Sequence, residues 1–153
     1  TFITDCPAFP NTTPVGGKEL IVISDDIKNV SSSSNYSPLY SCDRAFDGNL
    51  ETGWGSLSSP AEEWISVDLG VERTIEILGI QWYGEYYARE YSLWSSDDKT
   101  SWSKLATIPN SSTGADIFTN NISINLRYLA ILCTNKNKIA YGLGEFEIYQ
   151  SSP

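Results

Sequence analysis

Histidine and methionine are absent from this chain, and its 153 residues include only three cysteines. Without histidine there is no imidazole base, no usual zinc ligand and no Ser-His or Cys-His nucleophile pair, so most hydrolytic mechanisms are excluded. Positive charge is scarce as well: 10 Lys and Arg stand against 19 Asp and Glu, a net charge of −9. Such a surface does not neutralise a run of phosphates, so nucleic acid is not expected as a partner and an anionic membrane is disfavoured. The longest apolar runs, such as Tyr128-Leu129-Ala130-Ile131-Leu132, are strand length, far below the roughly 18 residues that cross a bilayer. No methionine and no charged-then-apolar leader open the chain, which therefore reads as a mature product or as part of a larger multidomain protein.

The cysteines allow at most one internal disulfide and show no C-x-x-C spacing. Cys133 ends an apolar run and reads as a buried strand thiol. Cys6 and Cys42 lie in Pro/Ser-rich loop sequence, where a bridge tying the amino-terminal arm to the body and two free thiols are equally open. Sequons at Asn11, Asn29, Asn35, Asn110 and Asn121 favour an extracellular or cell-surface protein.

Hydrophobic residues make up 41% of the chain, enough for one core, so residues 1–153 read as a single domain. Residues 1–19 are a Pro/Gly/Thr-rich arm, and the body spans 20–150. Its first strand is Leu20–Ser24. Period-two alternation follows in Trp64–Leu69, which Gly70 is expected to end, then in Thr74–Trp82 and Tyr91–Ser95. Polar turns at Ser96–Thr100 and Pro109–Gly114 precede Trp102 and Ile117-Phe118, and Arg127–Cys133 and Phe146–Tyr149 supply the last strands. No long window has a 3.6-residue period, so the fold class is all-β, an antiparallel sandwich or jelly roll. Trp64, Trp82 and Trp102 sit on strands and are expected in the core, as is Trp54. The neighbouring carboxylates Glu62-Glu63 and Asp97-Asp98 read as solvated charge, because adjacent side chains diverge.

The segment Arg44-Ala45-Phe46-Asp47-Gly48-Asn49-Leu50-Glu51-Thr52-Gly53-Trp54 places a carboxylate, a carboxamide and a hydroxyl around a turn glycine. That spacing suits calcium, which takes six to eight oxygens, and equally suits a simple turn capped by Asp47.

The run A-F-D-G-N-x-x-T-x-W is followed by W-I-S-V-D-L-G at 64–70 and by the polar turn before Trp102. Arg127-Tyr128-Leu129 and G-E-F-E-I-Y at 144–149 complete the set. In this order the motifs resemble the factor V/VIII type C (discoidin) domains, and among them most nearly the family 32 carbohydrate-binding modules. The resemblance covers residues 20–150 and implies a galactose-binding-like β-sandwich with one structural calcium. Carried over by motif, its ligands are the Arg44 and Gly144 carbonyls, the Asp47 and Glu145 carboxylates, an oxygen of Asn49, and the hydroxyl and carbonyl of Thr52. The missing histidine departs from the galactose-binding pattern.

Sugar recognition needs a flat aromatic ring beside groups that pair with hydroxyls. Three loops carry that mixture: 35–40 with Tyr36 and Tyr40, 83–90 with Glu85, Tyr86, Tyr87 and Arg89, and 135–141 with Tyr141. The resemblance gathers them at one end of the sandwich, with Tyr86 or Tyr141 as stacking platform and Arg89 with Glu85 as polar clamp. The expected role is a non-catalytic module that tethers a larger secreted or surface protein to a glycan, possibly of galactose type. The alternative is an adhesion or protein-interaction domain that binds no sugar. Membrane docking through Leu39 and Ile139, flanked by Lys136 and Lys138, ranks below both.

Overall fold

In Trp64-Ile65-Ser66-Val67-Asp68-Leu69 the alternation turns Ile65, Val67 and Leu69 to one face, and all three are buried. In a computed structural model of the chain, which describes residues 18–21, 29–59, 61–109, 115–118 and 124–151, this segment opens the long strand β4, Glu63–Trp82. Before it come β1 (Lys18–Leu20), β2 (Val30–Ser32) and β3 (Trp54–Gly55). After it come β5 (Ala88–Ser96), β6 (Trp102–Ile108), β7 (Ala115–Phe118), β8 (Ile124–Lys136) and β9 (Gly142–Ser151). Helical structure among the described residues is confined to short 3-10 turns, among them Pro38–Tyr40 and Cys42–Phe46. The arm 1–17, Cys6, residues 22–24 of the first expected strand, the turn 110–114 and the sequons Asn11, Asn110 and Asn121 lie outside the described residues.

Every pairing between these strands is antiparallel. The hydrogen-bonded order is β1-β9-β4-β8-β5-β6, with β2 and β7 also on β4 and β3 on β9. Gly70 does not end a strand. It adopts φ 86°, its amide donates to Asp68 Oδ1 at 2.8 Å, and the register with β8 shifts between Asp68 and Arg73. The surplus residues bulge outward, so the strand bends and continues. Up to the bulge it pairs with β2 and β8; beyond it the β8 pairing ends at Ile75 and β9 and β7 take over, so this one strand runs through both layers of the β-sandwich.

Between the layers lie Ile65, Leu93, Leu129 and Ile131 from one side and Leu78, Ile80, Phe146 and Ile148 from the other. Fully burying each such side chain contributes about 1.5–3 kcal/mol. Trp82 is buried edge-on against Tyr91, ring centroids 5.2 Å apart, and Trp54 is buried with its indole N–H donating to the Ser34 carbonyl at 2.8 Å. Cys133 is buried, and burial pushes its thiol up. Trp64 and Trp102 are not core residues: Trp64 is 39% exposed and Trp102 half-buried, both on an outward face. Glu62 is exposed, but Glu63 is fully buried, its Oε1 accepting from the Ser33 and Ser34 hydroxyls at 2.6 and 2.7 Å.

Candidate functional site

Three loops meet at one end of the sandwich because β4 ends where β9 begins and β8 ends where β5 begins. The first loop is pinned from below. Glu63 takes the two serine hydroxyls, the Trp64 amide donates to Ser33 Oγ at 2.8 Å, and the Leu57 amide donates to Ser34 Oγ at 3.0 Å. Proline near the start of the 3-10 turn at 38–40, together with the Leu39 amide donating to Ser37 Oγ, sets its direction. Tyr36 and Tyr40 then meet edge-on at 5.9 Å, and Tyr40 meets Tyr83 of the second loop edge-on at 6.4 Å.

These rings border a pocket of about 280 Å³ that takes Tyr86 from the second loop and Ile139 to Tyr141 from the third. Two of its lining residues, Gly55 and Gly142, carry no side chain. Gly55 of β3 pairs with Gly142 of β9, and a Cβ on Gly55 would lie 3.1 Å from the Tyr40 Cβ. The Tyr36 amide donates to the Gly55 carbonyl at 2.7 Å and the Tyr83 amide to the Gly142 carbonyl at 2.8 Å, so the same two glycines hold the tyrosine backbones. Burial, then the neighbouring Tyr40, raises the Tyr83 hydroxyl, which stays neutral.

The expected ligand residues divide. Tyr36, Tyr40 and Tyr86 border the pocket, with Tyr36 60% and Tyr86 42% exposed. Tyr141 borders it too but is no open platform: it is fully buried and its hydroxyl donates to the Ala61 carbonyl at 2.6 Å. Tyr87 packs against the core instead. Arg89 and Glu85 do not line the pocket as a clamp. Arg89 Nε donates to Asn137 Oδ1 at 3.1 Å, Asn137 Nδ2 donates to the Glu85 carbonyl at 2.9 Å, and Lys138 lies 3.8 Å from the Glu85 carboxylate, so they brace the second loop to the third. Reading for sugar clamps missed Tyr83, Gly55 and Gly142. The available signal was the tyrosine cluster at 83–87 and the glycines on either side of the aromatic runs.

Beside this end lies the loop expected to hold calcium. Arg44 sits in the 3-10 turn Cys42–Phe46, which stops at Asp47, and Gly48 takes φ 71° to reverse the chain. Asp47 accepts from the Asn49 amide at 3.0 Å and from the Thr52 hydroxyl, and Asn49 Oδ1 accepts from the Glu51 amide at 2.9 Å. Across the sandwich end, Glu145 of β9, next to Gly144, accepts from the Gly48 amide at 2.9 Å. Its other oxygen is buried without a partner. Burial first, and the Asp47 charge after it, push the Glu145 carboxyl up to about 9. Two facing carboxylates, an orphaned buried oxygen and neutral oxygens from Asn49 and Thr52 are a donor set that fits a hard cation.

The fold and sequence resemble those of known proteins. In Danio rerio, neuropilin-1a is 34% identical over 100 residues, covering 61% of this chain, which spans only a tenth of that relative's length. Chitosan-binding module 1 of a chitosanase/glucanase from Paenibacillus sp. IK-5 superposes with a TM-score of 0.74 at 29% identity, covering 78% of this chain and 92% of the module. Chitosan-binding module 2 of that enzyme, in complex with chitotriose, gives 0.71 at 28%, covering 78% and 94%. The family 32 carbohydrate-binding module of Clostridium perfringens NanJ, in complex with galactose, gives 0.75 at 17%, covering 87% and 99%, a likeness of fold. Residues 29–145 match the model of the F5/8 type C domain, and the chain belongs to that family.

Proposed function

We propose that this domain is a non-catalytic carbohydrate-binding module that tethers a larger exported protein to a glycan through the tyrosine pocket. The observation that carries this reading is the pocket itself: four tyrosines, exposed or half-buried, border it together with the paired Gly55 and Gly142. Such a surface takes the flat face of a sugar ring, and its small volume suits one or two rings held weakly. The ligand class we infer is an amino-sugar oligosaccharide. Ammonium groups are attracted to tyrosine faces and to a chain of net charge −9, and the two similar structures named above at 28–29% identity are chitosan-binding modules. Galactose is the weaker reading, since the galactose-bound neighbour is similar in fold alone and the chain has no histidine.

Calcium completes the proposal as a structural ion. Asp47, Glu145, Asn49, Thr52 and the carbonyls of Arg44 and Gly144 would hold it, fastening the early loop to the last strand. A second reading, a protein-contact domain without sugar binding, is favoured by Leu39 and Ile139, each 69% exposed beside the pocket. Membrane docking has less support, because Lys136 donates to the Ser58 carbonyl and Lys138 faces Glu85.

Calorimetric titration with chitotriose and with galactose, in calcium, tests the reading. Binding of chitotriose that disappears in Tyr86→Ala supports it. Failure of a folded, calcium-loaded protein to bind either sugar, or any other on a glycan array, transfers the assignment to a protein partner.

A further inference from the structure

Three of the five tryptophans stand on the outward face of the layer formed by β2, β4, β8, β5 and β6. Alternation predicts polar side chains there, as at Ser66 and Asp68. Instead Trp64, Trp94 and Trp102 wall a groove of about 400 Å³. Register explains its shape: Ser66 opposes Ala130 and Ala130 opposes Trp94, while Trp64 opposes Leu132, so Ser66, Ala130 and Leu132 floor the gap between the β4 and β5 indoles across two strand spacings, ~10 Å. The Trp94 indole N–H donates to Ser92 Oγ at 2.8 Å, which fixes that ring.

What fits such a groove follows from its chemistry. β4, β8 and β5, which floor the groove between Trp64 and Trp94, are paired on both sides, so an occupant lying there is recognised by side chains, and the outer strand β6 borders the groove at Trp102. Indole faces over a low floor suit the apolar faces of successive sugar rings. The charged side chain lining the groove is Lys99, and Lys104 lies over the Trp94 ring at 5.4 Å from its centroid. Asp97 and Asp98 precede Lys99 and Asp68 lies within its electrostatic reach, but Lys99 is the charge that lines the groove itself, and a cation there favours a carboxylate over an amino sugar. We propose that this sheet face is a second carbohydrate site, separate from the tyrosine pocket, that takes a linear acidic polysaccharide with ring faces on Trp64, Trp94 and Trp102 and carboxylates on Lys99.

The test is affinity electrophoresis and tryptophan fluorescence of the whole chain with polygalacturonate, using dextran as the neutral control. Polygalacturonate is expected to retard the protein and shift its emission, less so at high salt, while dextran does neither. Trp64→Ala should weaken binding about tenfold, the scale of one stacked ring with its buried area. Lys99→Gly should weaken it and flatten the salt dependence without lowering the melt, because glycine accepts the φ of 68° that Lys99 holds. Tyr86→Ala should leave polygalacturonate binding intact, whatever it does to chitotriose. The proposal is overturned if the parent binds dextran equally or polygalacturonate not at all. It is also overturned if both groove variants bind like the parent, or if Tyr86→Ala abolishes retardation. Sedimentation showing that the parent self-associates and Trp64→Ala does not would make a second copy the occupant and overturn it too.

Discussion

Gly55 of β3 and Gly142 of β9 oppose each other directly, and a Cβ on Gly142 would sit 3.0 Å from the Tyr86 Cβ and 3.2 Å from the Tyr83 Cβ. Neither clash is with the far end of a flexible side chain, so an added methyl has to move the tyrosine backbones. Gly142→Ala is expected to cost about 1–3 kcal/mol by overpacking and to lower sugar affinity further than that loss of folded protein explains. Urea unfolding and calorimetric titration on the same sample separate the two effects. Unaltered affinity would show that the glycine pair does not shape the site.

Much of this was legible in the chain, and the exceptions have physical causes. Period-two alternation identified the strands, and the parity that turns Ile65 and Val67 inward also turns Trp64 outward with Ser66 and Asp68; its exposure was there to be read. Beyond Gly70 the parity cannot be carried forward, because a bulge inserts residues that no periodicity counts. Tyr141 shows the same limit: composition marks an aromatic loop, but only the Ala61 carbonyl, 80 residues away, shows that its hydroxyl is tied down. The facing of Asp47 and Glu145 came from a motif resemblance, since no local spacing joins residues so distant.

Calcium is expected to raise the melting temperature. An ion present at a hundred times its dissociation constant stabilises the folded chain by about 2.7 kcal/mol, or roughly 5–10 °C for a domain of this size. Glu145→Ala should abolish the increment, because it removes both the carboxylate that holds the Gly48 amide and the orphaned oxygen. Scanning calorimetry with calcium and with EDTA decides the matter, and identical parent melts would remove the ion from the assignment.

The hairpin between β5 and β6 should report on acid. Amides of Ser101 and Thr100 donate to Asp98 Oδ1 at 2.8 and 2.9 Å and hold its carboxyl down to about 2. A carboxyl held below its ordinary value, about 3.9, contributes stability that is present above that value and lost as pH falls through 2. Proton NMR should therefore show the Thr100 and Ser101 amides moving together with a midpoint near pH 2. A midpoint near 4 would mean that the turn does not hold the carboxylate.

Tyr86 and Tyr141 border the same pocket yet should behave in opposite ways when changed. Tyr86 is 42% exposed, so Tyr86→Ala removes a ring that borders the pocket at little cost to folding, and about a tenfold loss of sugar affinity is expected with an unchanged melt. Tyr141 is buried with its hydroxyl on the Ala61 carbonyl, and burial has already pushed that hydroxyl up and kept it neutral. Tyr141→Phe keeps the ring and deletes that bond, which should cost about 1–2 kcal/mol of stability and leave affinity where it was. Measuring both quantities for both variants distinguishes a platform from a wall. If Tyr141→Phe weakened sugar binding while the melt held, the buried hydroxyl would have to reach the ligand, and the pocket would open differently from the arrangement of these loops.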